Sequence, residues 1–345
     1  MPAKYGGFET LVENLIGECK SPDIQYTVFC SGRDYKQKLK TFKGAVLKYI
    51  PYLHANGIQS IPYDILSLCR CIKDYDTVLV LGVSGGLFIP IFRLFFKNKL
   101  IVNIDGREHT RAKWGFFTRL FLKLNEVLAV RYADVIIADN KGIQDYVSEI
   151  YKTPTELIAY GGDHALRDVS DERQSQILHE YMLEKQGYAL SICRIEPENN
   201  CHVTLKALAK SGQPLVFIGN WEASPYGQKL RRKYGRKDNI HMLDSVYDLD
   251  VLYTLRKNCK VYIHGHSAGG TNPSLVEAMF FGCPIMAYDV IYSRETTCNE
   301  AYYYRDGWEL AQYLKEDQLD GKCMLDLAKQ LYRWKKIVAR YESLF

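Results

Sequence analysis

The sequence predicts an α/β protein of two Rossmann-like domains, and three observations carry that prediction. Short, near-continuously apolar runs alternate with segments of helical period along the chain, as parallel strands joined by crossover helices do. These runs fall into two sets, separated by a polar stretch from about Asp168 to Gln186. The 345 residues, 47% of them hydrophobic, suffice for two buried cores.

In chain order, Met1-Pro-Ala-Lys-Tyr-Gly-Gly reads as a loop, and Phe8, Leu11, Val12, Leu15 and Ile16 follow with helix spacing. A loop of this kind follows a strand in such folds. The expectation is therefore a domain without its first strand, or a start codon lying inside a longer reading frame. Residues 26–30, 78–81, 100–104 and 135–138 read as buried strands of the first domain. Residues 189–192, 215–218, 261–263 and 284–287 read as those of the second. Their unbroken apolar character fits strands covered on both faces, with right-handed crossovers between them.

Lys+Arg 45 against Asp+Glu 40 leaves +5, too small a surplus to imply nucleic acid. The ten cysteines form no CxxC pair and mostly sit in apolar stretches, as buried thiols of a reducing compartment do. No signal peptide opens the chain, and no apolar run reaches the ~18 residues of a membrane span. The expected location is cytoplasmic.

The strongest local signal runs from Val261 to Met279: strand, glycine-rich turn, helix. Asn272 suits an N-cap and Pro273 the first helical position, with Gly282 as the stop after Phe281. Gly269, Gly270 and Thr271 would then offer backbone N–H groups to an anion, with Glu277 one turn further on for a ribose. A tight turn before a well-capped helix is the alternative. Arg194, after the first strand of the same domain, has the fork geometry for phosphate oxygens, or pairs with Glu196 or Glu198. In the first domain Asp105, Arg107 and Glu108 follow a buried strand, either to bind sugar hydroxyls and act as a base or to form ion pairs within a loop.

Residues 91–131 hold nine Lys/Arg against three Asp/Glu. Trp114, Phe117, Phe121, Leu124 and Leu128 form a helical stripe there, read either as core or as a surface for an anionic membrane. His264 and His266 are expected to face opposite sides of their strand and to share no metal. Asp248-Leu-Asp250 and Asp74-Tyr-Asp76 match a DxD pattern but read as turns. No catalytic metal is expected.

Several stretches together resemble a known family. They are Pro2 to Thr10, Asp105 to Glu108, Arg111 to Trp114, Ala133 to Ala138, Ile158 to Asp163, Arg194 to Asn200 and His264 to Met279. The chain resembles the retaining glycosyltransferases of the GT-B fold, family 4, and within them the rhamnosyltransferase-like subgroup of bacterial surface polysaccharide assembly. The resemblance implies two Rossmann-like domains facing across a cleft. Residues 1–167 would bind the acceptor, 168–326 the nucleotide-sugar donor, and 327–345 would form a helix crossing back to the first domain. The strand missing before Met1 would be the central one of its sheet.

By the same resemblance Arg194 binds the donor diphosphate and stabilises the leaving group, helped by the amides of Gly270 and Thr271. Gly269, Asn272, His266 and Asn199 complete that site, Glu277 takes the ribose hydroxyls, and Tyr247 borders the base. Gly6 and Gly7 bring the N-terminal loop to the donor phosphate. Lys4, Tyr5, Arg107 and Glu108 face the acceptor, and Asp105 joins Arg194 as a catalytic residue. No cofactor is implied beyond the nucleotide-diphospho-sugar substrate.

Three positions depart from the common family pattern. Gly269 stands for a Glu, Asn199 for a basic residue and Asp105 for a His, a set that the subgroup shares. The implied reaction moves rhamnose from dTDP-rhamnose onto a lipid-diphosphate-linked saccharide. The basic aromatic region 91–131 would hold the enzyme at the inner face of the plasma membrane, with no nucleic acid partner. The alternatives are another nucleotide hexose such as UDP-glucose, or a non-catalytic nucleotide-sugar-binding partner or truncated remnant.

Overall fold

A computed structural model describes residues 1–3, 6–35, 37–51, 60–111, 114–316 and 318–345. The chain divides into two units, Met1–Tyr160 with Trp334–Phe345, and Gly161–Arg333.

The first unit begins with α1 (Gly7–Glu18), β1 (Thr27–Ser31), β2 (Thr41–Phe42), β3 (Ala45–Ile50), α2 (Ser60–Cys71) and β4 (Thr77–Leu81). It continues with α3 (Ile89–Phe95), β5 (Lys99–Asn103), α4 (Phe116–Tyr132), β6 (Val135–Ala138), α5 (Lys141–Tyr151) and β7 (Glu156–Leu157). Among the described residues its strands form two sheets, β1-β3-β2 and a parallel β4-β5-β6-β7. β5 and β6 are buried along almost their whole length, which explains their unbroken apolar sequence.

Helix α1 serves both sheets. Leu11 and Leu15, one turn apart, pack with Ile101 and Ile137 of the four-stranded sheet. Ile16 belongs instead to the core of Met1, Cys30, Ala45 and Leu47 on the three-stranded side.

The second unit runs α6 (Asp171–Glu180), β8 (Ala189–Ile192), α7 (Cys201–Ser211), β9 (Leu215–Ile218), α8 (Pro225–Tyr234), β10 (Ile240–Leu243) and α9 (Leu249–Asn258). Then come β11 (Val261–His264), α10 (Pro273–Met279), β12 (Ile285–Tyr288), α11 (Ile291–Thr296), β13 (Tyr302–Tyr304), α12 (Gly307–Tyr313) and α13 (Lys322–Leu331). Its sheet is parallel with order β10-β9-β8-β11-β12-β13. Trp221 and Phe217, edge to face at 5.1 Å, sit in its core with Leu205, Leu208 and Ile263.

The last helix, α14 (Trp334–Glu342), belongs to the first unit. Trp334, Ile337, Val338 and Tyr341, spaced to share one helix face, join the core of Leu11 and Leu15. The expected single helix over 327–345 is thus two helices, and residues 327–333 lie with the second unit. Tyr332 breaks the run: its carbonyl accepts from Gly162 N–H at 2.9 Å and its hydroxyl donates to the Thr296 carbonyl at 2.8 Å. The division likewise falls at Gly161, ahead of the expected 168. Gly162 lies so close to Val276 and Phe280 that a Cβ there would sit 2.8 Å from a Val276 methyl.

Candidate functional site

Strands β8, β9 and β10 step outward in one direction, and β11 returns to the other side of β8. The switch point of the sheet is therefore the gap between the carboxyl ends of β8 and β11, where open parallel sheets bind ligands. The loops leaving those two strands carry Arg194 and the glycine-rich turn.

The two loops are bonded together. Ser267 donates to the Glu198 carbonyl through both its N–H (2.9 Å) and its hydroxyl (2.8 Å), and the Asn200 amide donates to the Gly265 carbonyl at 3.0 Å. A Cβ on Gly265 would lie 2.3 Å from the Asn199 carbonyl oxygen, so only glycine permits this approach. Asn199, expected to face the donor, is buried and donates to the Arg194 carbonyl at 2.7 Å. It positions the Arg194 backbone. The Arg194 side chain is exposed, with no hydrogen-bond or ion-pair partner among the described residues, so neither Glu196 nor Glu198 neutralises it.

In the glycine-rich turn, Gly269 has φ +124° with open space where a Cβ would be. The N–H groups of Gly269 and Gly270 make no hydrogen bond among the described residues. Asn272 caps α10 by accepting from Ser274 N–H at 3.0 Å, Pro273 follows at the first position, and Thr271 is buried beside them. Helix α10 ends at Met279, slightly before the expected stop, and Gly282 follows in the left-handed region.

Glu277 is already ion-paired. Arg256, itself buried, bonds one of its oxygens, and His164 Nε2 lies 3.3 Å from the other. Burial pushes the Glu277 carboxyl up, but Arg256 and His164 outweigh it and hold the group below the usual carboxylate range. A carboxylate has about four lone-pair sites, so capacity for hydroxyl donors remains.

His264 and His266 correct the sequence expectation. Their rings stack, 4.3 Å apart at 10°, so His266, just past the end of β11, lies on the same side as His264, where residues two apart on a strand would also lie. His264 is buried and burial lowers its pKa to about 3, so it stays neutral. Both line a recess of about 10 Å³ beside Gly270 and Asn272, room for one water. Among the described residues no three His, Cys, Asp or Glu side chains gather as a metal set. Asp248 caps α9, accepting from the N–H groups of Asp250 and Val251, and Asp250 pairs with Arg167 at 3.0 Å. Tyr247, just before that cap, is exposed.

In the first unit, polar residues collect at the carboxyl edge of the four-stranded sheet. Asp105 sits at φ +57° and its N–H donates to Asn103 Oδ1 at 3.0 Å; the Asn103 amide donates to the Tyr341 hydroxyl at 2.9 Å. Burial raises the pKa values of Tyr160 and Tyr341, and the charges of Asp105 and Asp139 raise them further. Arg107 stacks over the Tyr146 ring at 4.5 Å. Glu108 accepts from Trp114 Nε1 at 3.2 Å and pairs with Arg111 at 2.7 Å, so it is engaged within its own loop. Gly6 (φ +145°) precedes α1 and its carbonyl accepts from Thr10 N–H; Gly7 is the first helical residue. Lys4 and Tyr5 lie outside the described residues.

Residues 174–323 match the family described as glycosyl transferases group 1. That match lies within the second unit, which runs from Gly161 to Arg333. Residues 1–163 match a domain of unknown function, DUF1972. No curated protein matches the sequence. Among solved structures, sucrose-phosphate synthase from Thermosynechococcus elongatus is similar at TM-score 0.81 and 17% identity, over 98% of this chain and 92% of that one. HepE from Anabaena in complex with UDP-glucose is similar at TM-score 0.68 and 17% identity, over 88% and 87%. The N-terminal domain of trehalose-6-phosphate phosphatase from Candida albicans is similar at TM-score 0.71 and 11% identity, over 99% and 93%. The fold is that of the GT-B glycosyltransferases.

Three features of the chain escaped the sequence reading. Asp139 directly follows β6, a position its polar type should have flagged. Gly82-Val-Ser-Gly-Gly86 directly follows β4, and the Ser84 hydroxyl bonds to Asp64, whose carboxyl burial lifts to about 6. Arg256 and His164 carry no local motif, and only the fold brings them to Glu277.

Proposed function

We propose that the chain is a retaining, metal-independent glycosyltransferase that moves rhamnose from dTDP-rhamnose onto a lipid-diphosphate-linked saccharide during surface polysaccharide assembly. It would work in the cytoplasm, held peripherally at the inner face of the membrane. The observation that carries the reading is the exposed Arg194 on a loop bonded to the turn of Gly269 and Gly270, whose N–H groups make no hydrogen bond among the described residues. That cation and those donors suit a diphosphate whose charge grows as its bond to the sugar breaks. The HepE complexes hold UDP and UDP-glucose, which supports a nucleotide-sugar for this chain and makes UDP-glucose the competing donor.

In the reaction, the acceptor hydroxyl oxygen bonds to the anomeric carbon as the bond from that carbon to the diphosphate oxygen breaks. The hydroxyl proton passes to a departing phosphate oxygen on the same face, which retains configuration. Arg194 and the turn amides take up the developing negative charge. Glu277 uses its remaining lone pairs on the ribose hydroxyls, and Tyr247 borders the base. Asp105 and its neighbours orient the acceptor.

The test is incubation of the purified chain with dTDP-rhamnose, UDP-glucose or UDP-GlcNAc and short-lipid diphosphate sugar acceptors, with and without EDTA, read by mass spectrometry. Transfer of rhamnose alone, unaffected by EDTA, is expected. Transfer of another hexose would reassign the donor. Tight donor binding with neither transfer nor hydrolysis would leave a binding partner in place of an enzyme.

A further inference from the structure

Helix α4 is buried on the unexpected side. Asn125 and Glu126 are fully enclosed, while Phe116 and Phe117 are 76% and 83% exposed and Leu120 and Leu124 also face out. The polar side is enclosed because it is used. Asn125 Oδ1 accepts from Leu87 N–H at 2.9 Å. Glu126 accepts from the Tyr146 and Tyr151 hydroxyls at 2.6 and 2.5 Å, from Lys123 at 3.1 Å, and lies 3.0 Å from His109 Nδ1. Phe117 and Leu124 of the apolar stripe are therefore left outside with Phe116 and Leu120, while Phe121 and Leu128 are half-buried. Leu94 and Phe95 are exposed on α3, which packs beside α4.

Next to the stripe is an open recess of about 420 Å³, lined by Phe116 and Leu120 on one hand and by His109, Thr110, Arg119 and Lys123 on the other. Lys123 already donates to Glu126, Tyr146 and Tyr151. Arg119 is exposed, and among the described residues its side chain makes one hydrogen bond, a long one to the Arg111 carbonyl at 3.4 Å, which leaves donors of its fork unused there.

We propose that this face seats on an anionic phospholipid bilayer, with Phe116, Phe117 and Leu120 entering the boundary between headgroups and acyl chains and a lipid phosphate lying in the recess against Arg119. The proposal rests on the membrane-linked reading above and names the surface that makes the contact. Exposed aromatic side chains set among a surplus of Lys and Arg complement an anionic interface. A second copy of the chain fits less well, because a two-fold contact through this face would set like charges against each other.

Flotation of the full chain with phosphatidylcholine vesicles, with and without one-third phosphatidylglycerol, tests it. The wild type is expected to float with the anionic vesicles and to remain in solution with the neutral ones. Phe117→Asp should weaken that binding by more than about tenfold, and Arg119→Glu by at least about fivefold with a shallower salt dependence. Thermal unfolding of each variant, compared with wild type, shows whether the fold is kept. Failure of the wild type to float, or equal flotation of a folded Phe117→Asp variant, overturns the proposal. So does a reversible dimer that Phe117→Asp dissolves in a chain that ignores vesicles. A wild type that stays in solution yet transfers sugar to a short-lipid acceptor sinks this surface alone. One that floats but transfers nothing supports the surface and sinks the transferase reading.

Discussion

Arg194 is held at its backbone and free at its tip, with Asn199 bonding the carbonyl and solvent around the guanidinium. Arg194→Ala should therefore lower kcat/KM by about 10²- to 10³-fold with an unchanged melting temperature, measured on the same preparation. Asn199→Ala should give part of that loss together with a stability cost, because the Arg194 carbonyl loses the Asn199 amide donor and keeps the Glu196 N–H. His264 gives a second residue-scale expectation. Its folded pKa of about 3 lies below the ordinary histidine value near 6.5, so the unfolded chain takes up the proton first. Stability is then lost as pH falls below about 6.5 and the loss levels off near pH 3, reaching roughly 4 kcal/mol. His264→Leu should flatten that slope in urea unfolding followed from pH 7 to pH 4. An unaltered slope would place the acid sensitivity elsewhere.

At the scale of elements, two loops act as one because Gly265 lets them touch. Gly265→Ala would drive a methyl into the Asn199 carbonyl and part the Arg194 loop from the Gly269–Gly270 turn. A loss of about 1–3 kcal/mol in stability is expected, with nucleoside diphosphate affinity, measured by calorimetry, falling at least about tenfold. Elements such as these were legible where a strand is covered on both faces: β6, β8 and β9 coincide with their apolar runs. Strand β3 was missed because it alternates, with Val46 and Lys48 outward and Ala45 and Leu47 inward, and so lacks an unbroken run. The glycine-rich turn and the Asn272 cap were legible because turn chemistry is local. The ion pairs of Glu277 were not, since Arg256 and His164 arrive from distant segments. On α4 the apolar stripe was visible, but which face lies inward depends on partners for Asn125 and Glu126 that no helical period encodes.

For the molecule as a whole, the nucleotide reading concerns one of two units. Ligand bound only by the folded state stabilises it by about 2.7 kcal/mol at a hundred times its dissociation constant. Saturating dTDP should accordingly slow amide exchange across β8 and β11 by about a hundredfold where exchange requires opening of the second unit. Unchanged exchange in those strands would separate the Arg194 site from nucleotide binding.

The order in which the chain is made also matters. The core around Leu11 and Leu15 receives Trp334, Ile337, Val338 and Tyr341 from α14. The first unit to emerge from a ribosome is thus the last to be completed, since the entire second unit is synthesised between its two parts. At about 5–20 residues/s, Leu11 and Leu15 wait on the order of 15–65 s for their partners. During that interval the second unit can close its own sheet while Leu11 and Leu15 still lack the helix that covers them in the finished core.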